Sequence, residues 1–336
     1  MVDDLRSLVA AELAEPVAPR AAALAAAVAA LYPRAARAVL FYGSCLRERQ
    51  LDGLMLDFYL IVSDYRVAYG KSWLAAANRL IPPNVFPFEA DGLTCKYAVL
   101  SEADFARLCG PDADNPSVWA RFAQPSRLAW VRDEVARQAA ISAVAQAAPT
   151  LIARTLPTIE RLSSSSVRAE PVEAPPFSSS SEEERRPFDR LRANGDGKGV
   201  SSDSLDLWRA AFALTYAAEL RAERKTRSGN IVDADPERYR RFTAPVLAAA
   251  LQLAPARQSR TVALAGWRRT QRRGKALTLL RLAKASATFA GGLDYLAWKI
   301  NRHAGTTMTI KPWQRRWPLL GALTLLPRLL ARGAVR

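Results

Sequence analysis

Residues 40 to 60 read LFYGSCLRERQLDGLMLDFYL, and this stretch decides the predicted architecture of the N-terminal half. Its apolar beginning stops at Gly43-Ser44, a polar turn follows, and a second apolar run to residue 62 carries one carboxylate, Asp57. Short apolar runs bounded by turn residues are typical of buried strands. We therefore predict a strand, a glycine-serine turn and a second strand whose single acid points inward.

A strand, a Gly-Ser turn and a strand with an inward acid form the arrangement used by nucleotidyltransferases. Gly43 lets backbone N–H groups approach a triphosphate, and the Ser44 hydroxyl adds a donor. Asp57 is a predicted ligand of Mg²⁺, which bridges phosphate oxygens. We therefore predict Gly43 and Ser44 as nucleotide-binding residues, and Ser44 and Asp57 as catalytic residues.

The second strand lacks one acid of the usual pair. Two acids normally occupy alternate positions of this strand, because a period of two places both side chains on one face. Met55 stands where the first acid is expected. Asp52 is the predicted second metal ligand, and Asp64 and Glu89 are alternatives that the sequence does not separate. A strand whose acid forms a buried structural ion pair is equally compatible with this pattern.

Lys96 lies in the middle of a third apolar run. A lysine in such a run either extends its ammonium group to solvent from a sheet edge or points into a phosphate site. The pattern alone leaves both roles open, and Lys96 is assigned to the predicted nucleotide-binding residues.

The chain is strongly basic. Its 336 residues include 48 Lys+Arg against 32 Asp+Glu, a net charge of +16, and most of the excess follows residue 207. Such a charge indicates an anionic partner, which is a nucleic acid, a nucleotide or an acidic membrane surface. Three cysteines without paired spacing argue against a zinc site or a disulfide framework. The single histidine, His303, excludes His-dependent catalytic triads.

Residues 163–204 differ from their surroundings in being rich in Ser, Pro and Glu without an apolar period. The heptapeptide VRAEPVE at 167–173 can be encoded by GTTCGCGCGGAGCCTGTCGAA. The reverse complement of that DNA encodes FDRLRAN, which stands at 188–194. We interpret the segment as a translated inverted repeat, and we predict a disordered insert without a catalytic role.

The remaining patterns predict an α+β fold, in which a nucleotidyltransferase-like mixed sheet is followed by a helical C-terminal domain. The predicted strands are 37–42, 54–62 and 93–100, and the predicted helices are 19–31, 72–80, 102–108, 133–155, 205–224, 236–252 and 276–302. The predicted domains are 1–115 for nucleotidyl transfer, 116–162 with 205–310 as the helical domain, 163–204 as the insert, and 311–336 as an amphipathic membrane-associating tail.

Several segments, in the same order and at similar spacing, resemble the mitochondrial-type CDP-diacylglycerol synthases, which are phosphatidate cytidylyltransferases linked to translocator maintenance and cardiolipin synthesis. The resembling segments are Tyr42-Gly43-Ser44, Met55-Leu56-Asp57-Phe58, Lys96-Tyr97-Ala98-Val99, Ser126-Arg127-Leu128 and the helix from Lys284 to Ile300. The chain departs from the family pattern at Ala98 and Ala285, where the family has glycine. It also lacks the family's Trp-His and His-Lys-Pro elements, which suggests a divergent bacterial-type member with an altered acceptor.

The resemblance implies that CTP and phosphatidate, or a similar anionic lipid, react with Mg²⁺ as cofactor to give CDP-diacylglycerol and pyrophosphate. It implies a cytoplasmic enzyme that is peripheral on the inner face of the cell membrane, and no nucleic-acid partner is expected. Two alternatives remain open. One is an RNA- or tRNA-directed nucleotidyltransferase, which would account for the charge, and the other is an inactive membrane-surface protein on the same fold.

A lipid substrate requires contact with the membrane surface. Trp313 and Trp317 flank arginines and precede a mostly apolar run that is too short to span a bilayer. We predict that this tail lies in the headgroup layer, and that Arg268, Arg272 and Lys284 add lipid contacts.

Overall fold

The computed structural model describes residues 2–48, 50–159, 200–218, 231–254, 258–288 and 310–313. A five-stranded mixed sheet carries helices on both faces, and long helices follow it in the described part of the chain. The predicted α+β class with a helical C-terminal region is therefore confirmed.

The sheet has the strand order β3-β4-β2-β1-β5, in which β2 and β4 run parallel and the other neighbours run antiparallel. The strands are β1 Ala36–Tyr42, β2 Met55–Val62, β3 Asn84–Ala90, β4 Leu93–Ser101 and β5 Ser126–Val131. Because successive side chains of a strand point to opposite faces, β2 contributes Tyr59 and Ile61 to one core cluster and Phe58 and Leu60 to the other. Both faces of β2 are buried, which explains its nearly continuous apolar sequence.

Helices cover both faces of the sheet. The helices are α1 Val2–Ala14, α2 Pro19–Ala30, α3 Tyr65–Ala68, α4 Ser72–Leu80, α5 Glu102–Cys109, α6 Trp119–Phe122, α7 Glu134–Thr155, α8 Val200–Tyr216, α9 Pro236–Leu253 and α10 Arg260–Thr288. Residues of α2, α3 and α4 share a core with one face of the sheet. Residues of α1, α5, α6 and α7 share a second core with the other face, and α8, α9 and α10 extend that core.

The second core joins the two halves of the sequence. Strand β5 lies within the predicted helical region 116–162, yet it pairs with β1 along the edge of the sheet. Helix α8 begins at Val200, inside the segment predicted as an insert. Helix α10 begins at residue 260, earlier than the predicted 276. The predicted helix end at 302 and residues 163–199 of the insert lie outside the described residues.

Helix α1 was not predicted, and it connects the N-terminus to α9. Leu5, Val9 and Leu13 recur every four residues and are buried in the second core. Glu12 forms an ion pair with Arg238 in which both side chains are 4% exposed. A buried carboxylate and guanidinium therefore hold the first helix against α9.

Among the described residues, one helical stretch, Glu134–Thr158, is long and apolar enough to cross a membrane. Most of its apolar window is buried inside the fold, where it belongs to the second core. The bent pair α1 and α2 meets the same length and composition criteria only when taken together, across a 100° bend.

Candidate functional site

The predicted glycine-serine turn has a backbone that only glycine adopts readily. Gly43 has φ 93° and ψ −169°, and Ser44 begins a short 3₁₀ turn directly after it. A Cβ atom added at Gly43 would lie 3.4 Å from Oδ2 of Asp57. The turn therefore lies next to the predicted catalytic acid, at van der Waals distance, and the positive φ is what favours glycine at this position.

We expect Gly43→Ala to lower the free energy of unfolding by about 1–3 kcal/mol, because φ and ψ values of this kind are strained for other residues. Urea denaturation measures the change. Gly70→Ala is the matched control, since a Cβ there meets nothing within 4 Å and its φ is not positive. Equal stability of the two variants would show that the turn relaxes at no cost.

Strand pairing places five side chains in one row across a single face of the sheet. Tyr42 pairs with Asp57 on one side and with Ser126 on the other, and Asp57 pairs with Lys96. From one edge to the other, the row is Ser126, Tyr42, Asp57, Lys96 and Pro87. The sheet thus brings together three of the predicted site residues, since Gly43 adjoins this row.

Asp57 and Lys96 form an ion pair across the parallel strands. The Lys96 Nζ atom lies 2.9 Å from Oδ1 of Asp57, and the side chains are 37% and 24% exposed. Oδ1 is itself buried and accepts no well-aligned hydrogen bond from the described residues. The two observations are compatible, because a charge contact needs proximity and a hydrogen bond also needs direction. The carboxylate therefore keeps an unused acceptor position beside a cation.

The three acids that the sequence offers as a second metal ligand beside Asp57 lie in different places. Asp52 accepts two hydrogen bonds from Arg20, at 2.9 and 3.1 Å. Asp64 caps α3 and follows the last residue of β2, Val62. At 3.3 Å per residue, Asp57 lies about 16 Å from that end of the strand, so Asp64 is distant from it. Glu89 pairs with Thr94, which lies on the same face as Lys96, so Glu89 belongs to this face.

The residues present fit a Mg²⁺ ion held by one carboxylate, and not the two-carboxylate site typical of this strand arrangement. In the described ranges, no three Asp, Glu, His or Cys side chains are close enough to share a metal ion. Mg²⁺ commonly binds through one or two carboxylates together with substrate phosphates. Asp57 suits this role, because its buried Oδ1 atom accepts no hydrogen bond from the described residues.

The cysteines near Asp57 are poor ligands and poor nucleophiles. Burial raises the pKa of the Cys45 thiol, and the negative charge of Asp57 raises it further. Burial and the same charge raise the pKa of Cys95 to about 12. Both groups are therefore neutral thiols at physiological pH, whereas the thiolate is the reactive and metal-binding form.

Lys284, predicted as a lipid contact, forms hydrogen bonds with backbone carbonyl groups directly before β3. Its ammonium group donates to the carbonyl oxygens of Ile81 and Pro83, and Arg281 Nε donates to the Pro82 carbonyl at 2.8 Å. Helix α10 is therefore attached to the turn before β3. Burial, with a smaller contribution from the charge of Arg281, lowers the pKa of Lys284 to about 7.

This shift predicts a pH-dependent stability. The unfolded lysine has a pKa of about 10.4, so between pH 7 and 10 the unfolded chain binds more protons than the folded one. The contribution of Lys284 to stability therefore increases as the pH rises through this window. We expect Lys284→Met to abolish that increase, measured by urea unfolding at pH 7 and pH 9.5. Lys275→Met, at an exposed position of the same helix, should keep the wild-type slope, and equal slopes in both variants would contradict the assignment.

The remaining predicted lipid contacts are on the surface or outside the described residues. Arg268 and Arg272 are exposed on α10, where they help to line a shallow surface concavity. No site residue of the sheet row lines this concavity. Trp313 is 44% exposed, and Trp317 lies outside the described residues.

Ser126 is a candidate site residue that sequence reasoning did not select. It is fully buried at the end of the row, and its Oγ atom has no hydrogen-bond partner among the described residues. An unpaired buried hydroxyl is uncommon in folded proteins. Only the strand register reveals that this serine shares a face with Asp57.

A scan against protein-family models and a search of curated proteins found no match to this chain.

Proposed function

We propose that this protein is a nucleotidyltransferase that transfers CMP from CTP to phosphatidate, or to a related phospholipid, and releases pyrophosphate. The observation that carries the proposal is the contact between the Gly43 turn and Asp57, with Lys96 paired to that acid in register. The motif resemblance supports the choice of CTP and of a lipid acceptor. A peripheral location on the inner face of the cell membrane belongs to the same proposal.

The turn and the lysine hold the triphosphate. Gly43 leaves the backbone open to close approach, and the exposed Ser44 hydroxyl donates to a phosphate oxygen. The Lys96 side chain is more than a third exposed, so its ion pair with Asp57 is weak. The ammonium group can therefore leave Asp57 and bind a phosphate instead. Binding of the nucleotide thus separates the ion pair and frees the carboxylate.

The reaction needs little proton transfer from the protein. A phosphate oxygen of the acceptor lipid attacks the α-phosphorus of CTP, the bond from that phosphorus to the bridging oxygen breaks, and its electron pair leaves with pyrophosphate. The acceptor oxygen is already ionised, so a strong general base is not required. This agrees with a chain that contains a single histidine.

Asp57 would hold Mg²⁺ together with the phosphates of the nucleotide. The chemistry that Mg²⁺ supplies when bound is neutralisation of charge on the phosphate oxygens. Lys96 contributes a second positive charge on the same face of the sheet, because strand pairing places this residue beside Asp57. Such pre-placed charges are usually the largest contribution to phosphoryl-transfer catalysis.

The test is a transfer assay with the full chain, CTP labelled at the α-phosphate, Mg²⁺ and vesicles that contain phosphatidate. We expect a labelled lipid that extracts into organic solvent, and no product with vesicles of phosphatidylcholine alone. An RNA acceptor is assayed in parallel. Label on the RNA in place of the lipid would refute the lipid acceptor and support the RNA-directed alternative.

The Asp57–Lys96 ion pair also favours a second candidate, a nucleotide-binding protein without turnover. A lysine that neutralises the only carboxylate of the row leaves less charge for a metal ion than a two-acid site does. Equilibrium binding of CTP without any transferred label, to lipid or to RNA, is the result expected for this candidate.

A further inference from the structure

Helix α10 carries an unusually one-sided charge. Its 29 residues include eight lysines and arginines and no aspartate or glutamate. Four of them and an alanine line the surface concavity, and we call this group the arginine face: Ala265, Arg268, Arg269, Arg272 and Arg273. Within the described residues, no carboxylate forms an ion pair with any of these arginines. By contrast, Arg209 and Arg238 elsewhere in the chain each pair with an acid.

Packing on the opposite side of α10 fixes the direction of the arginine face. The Trp267 ring lies 6.2 Å from that of Trp119, and its indole N–H donates to the Arg154 carbonyl at 2.9 Å. A Cβ atom at Gly274 would lie only 2.3 Å from the Ala218 carbonyl oxygen, so the helix cannot rotate there. The arginines are therefore held toward solvent on a rigid element.

Two exposed aliphatic side chains mark the ends of the arginine face. Val262 is 56% exposed and Leu280 is 53% exposed. They are separated by five helical turns, which is about 27 Å, and Arg269 and Arg273 lie between them along nearly the same line. Exposed aliphatic groups flanking cations on one helix side are typical of helices that lie on a bilayer surface.

We propose that the arginine face, with Val262 and Leu280, is the docking surface of this protein for an anionic lipid bilayer. The guanidinium groups suit lipid phosphates, since they present several donors to phosphate oxygens. The two aliphatic side chains enter the headgroup layer at either end. This inference deepens the proposed function by naming the surface that meets the lipid, and its biological purpose rests on that function.

The geometry favours a bilayer over a single-stranded nucleic acid. The arginine face lies along one side of α10 with its four arginines exposed, so they can contact an extended surface of negative charge together. Single-stranded nucleic acids are usually bound on aromatic side chains that stack with bases. In α10 the single aromatic residue, Trp267, is buried on the opposite side.

The experiment is flotation of the full chain with vesicles of phosphatidylcholine and 30% phosphatidylglycerol, without CTP and without phosphatidate. We expect Arg269→Gln/Arg273→Gln to weaken vesicle binding about fivefold for each charge removed, and so about 25-fold for the pair. The matched control is Arg34→Gln/Arg66→Gln, which removes the same charge from exposed positions in the N-terminal half. This control should bind almost as tightly as the wild type.

Two results of this experiment would overturn the proposal. Equal losses in both double variants would overturn the proposal, because binding would then depend on net charge alone. A fluorescent RNA that displaces the vesicles and loses affinity in the Arg269→Gln/Arg273→Gln variant would also overturn it. Because neither CTP nor phosphatidate is present, this result stands apart from success or failure of the transfer assay.

Discussion

Replacing Glu12 by glutamine should lower the free energy of unfolding by about 3–5 kcal/mol, the usual cost of removing one partner of a buried ion pair. The Arg238 guanidinium would keep its hydrogen bond to the Ala123 carbonyl and its position over the Phe242 ring. Its full charge would nevertheless remain buried without a counter-ion. Since single domains are commonly stable by about 5–15 kcal/mol, this is a large fraction of the total.

Chemical denaturation monitored by tryptophan fluorescence measures this change. Asp52→Asn is the matched control, because its ion pair with Arg20 is more than half exposed and should contribute less than about 1 kcal/mol. The double replacement Glu12→Leu/Arg238→Met removes both charges and should recover much of the loss. A Glu12→Gln variant as stable as the Asp52→Asn variant would show that water reaches the pair.

Asp57→Asn should reduce nucleotidyl transfer by about 10²–10³-fold, the range found when one charge-stabilising group is removed from an active site. The variant keeps the size of the side chain and loses the charge that pairs with Lys96 and that, in the proposed mechanism, would hold the metal ion. Its stability should change by less than about 1 kcal/mol, because the ion pair is partly exposed. Loss of turnover would therefore occur in a folded protein.

The control for this prediction is again Asp52→Asn, now assayed for transfer. We predicted Asp52 as a metal ligand from the sequence, whereas the structure pairs it with Arg20. Retained turnover in Asp52→Asn and loss in Asp57→Asn would assign the metal ion to Asp57. Retained turnover in Asp57→Asn would instead remove Asp57 from the mechanism.

The strands that the sequence predicts best are those buried on both faces. Strands β1, β2 and β4 were each predicted to within one residue at either end, because their apolar runs are nearly continuous. Strand β3 was missed because Pro87 interrupts its pattern. That proline is tolerated because β3 lies at the edge of the sheet, and the edge position depends on the strand order.

In the candidate site, contacts between residues near in sequence could be predicted, and contacts that depend on strand register could not. Gly43 and Asp57 are close in sequence, so a turn and an adjacent strand suffice to predict that they approach each other. The pairing of Lys96 with Asp57 depends on the register of two parallel strands that are joined by a long crossover. The position of Ser126 depends on a further strand pairing. Neither register is encoded in a short pattern.

The attachment of α1 to α9 has a consequence for the synthesis of the chain. Glu12 emerges from the ribosome 226 residues before Arg238, its partner. At a translation rate of about 5–20 residues per second, that interval is about 11–45 s. During this time Glu12, which is buried in the finished protein, has no Arg238 with which to form its ion pair. The core cluster that contains α1 is therefore complete only after α9 has emerged, whereas every buried residue of the other cluster precedes residue 100.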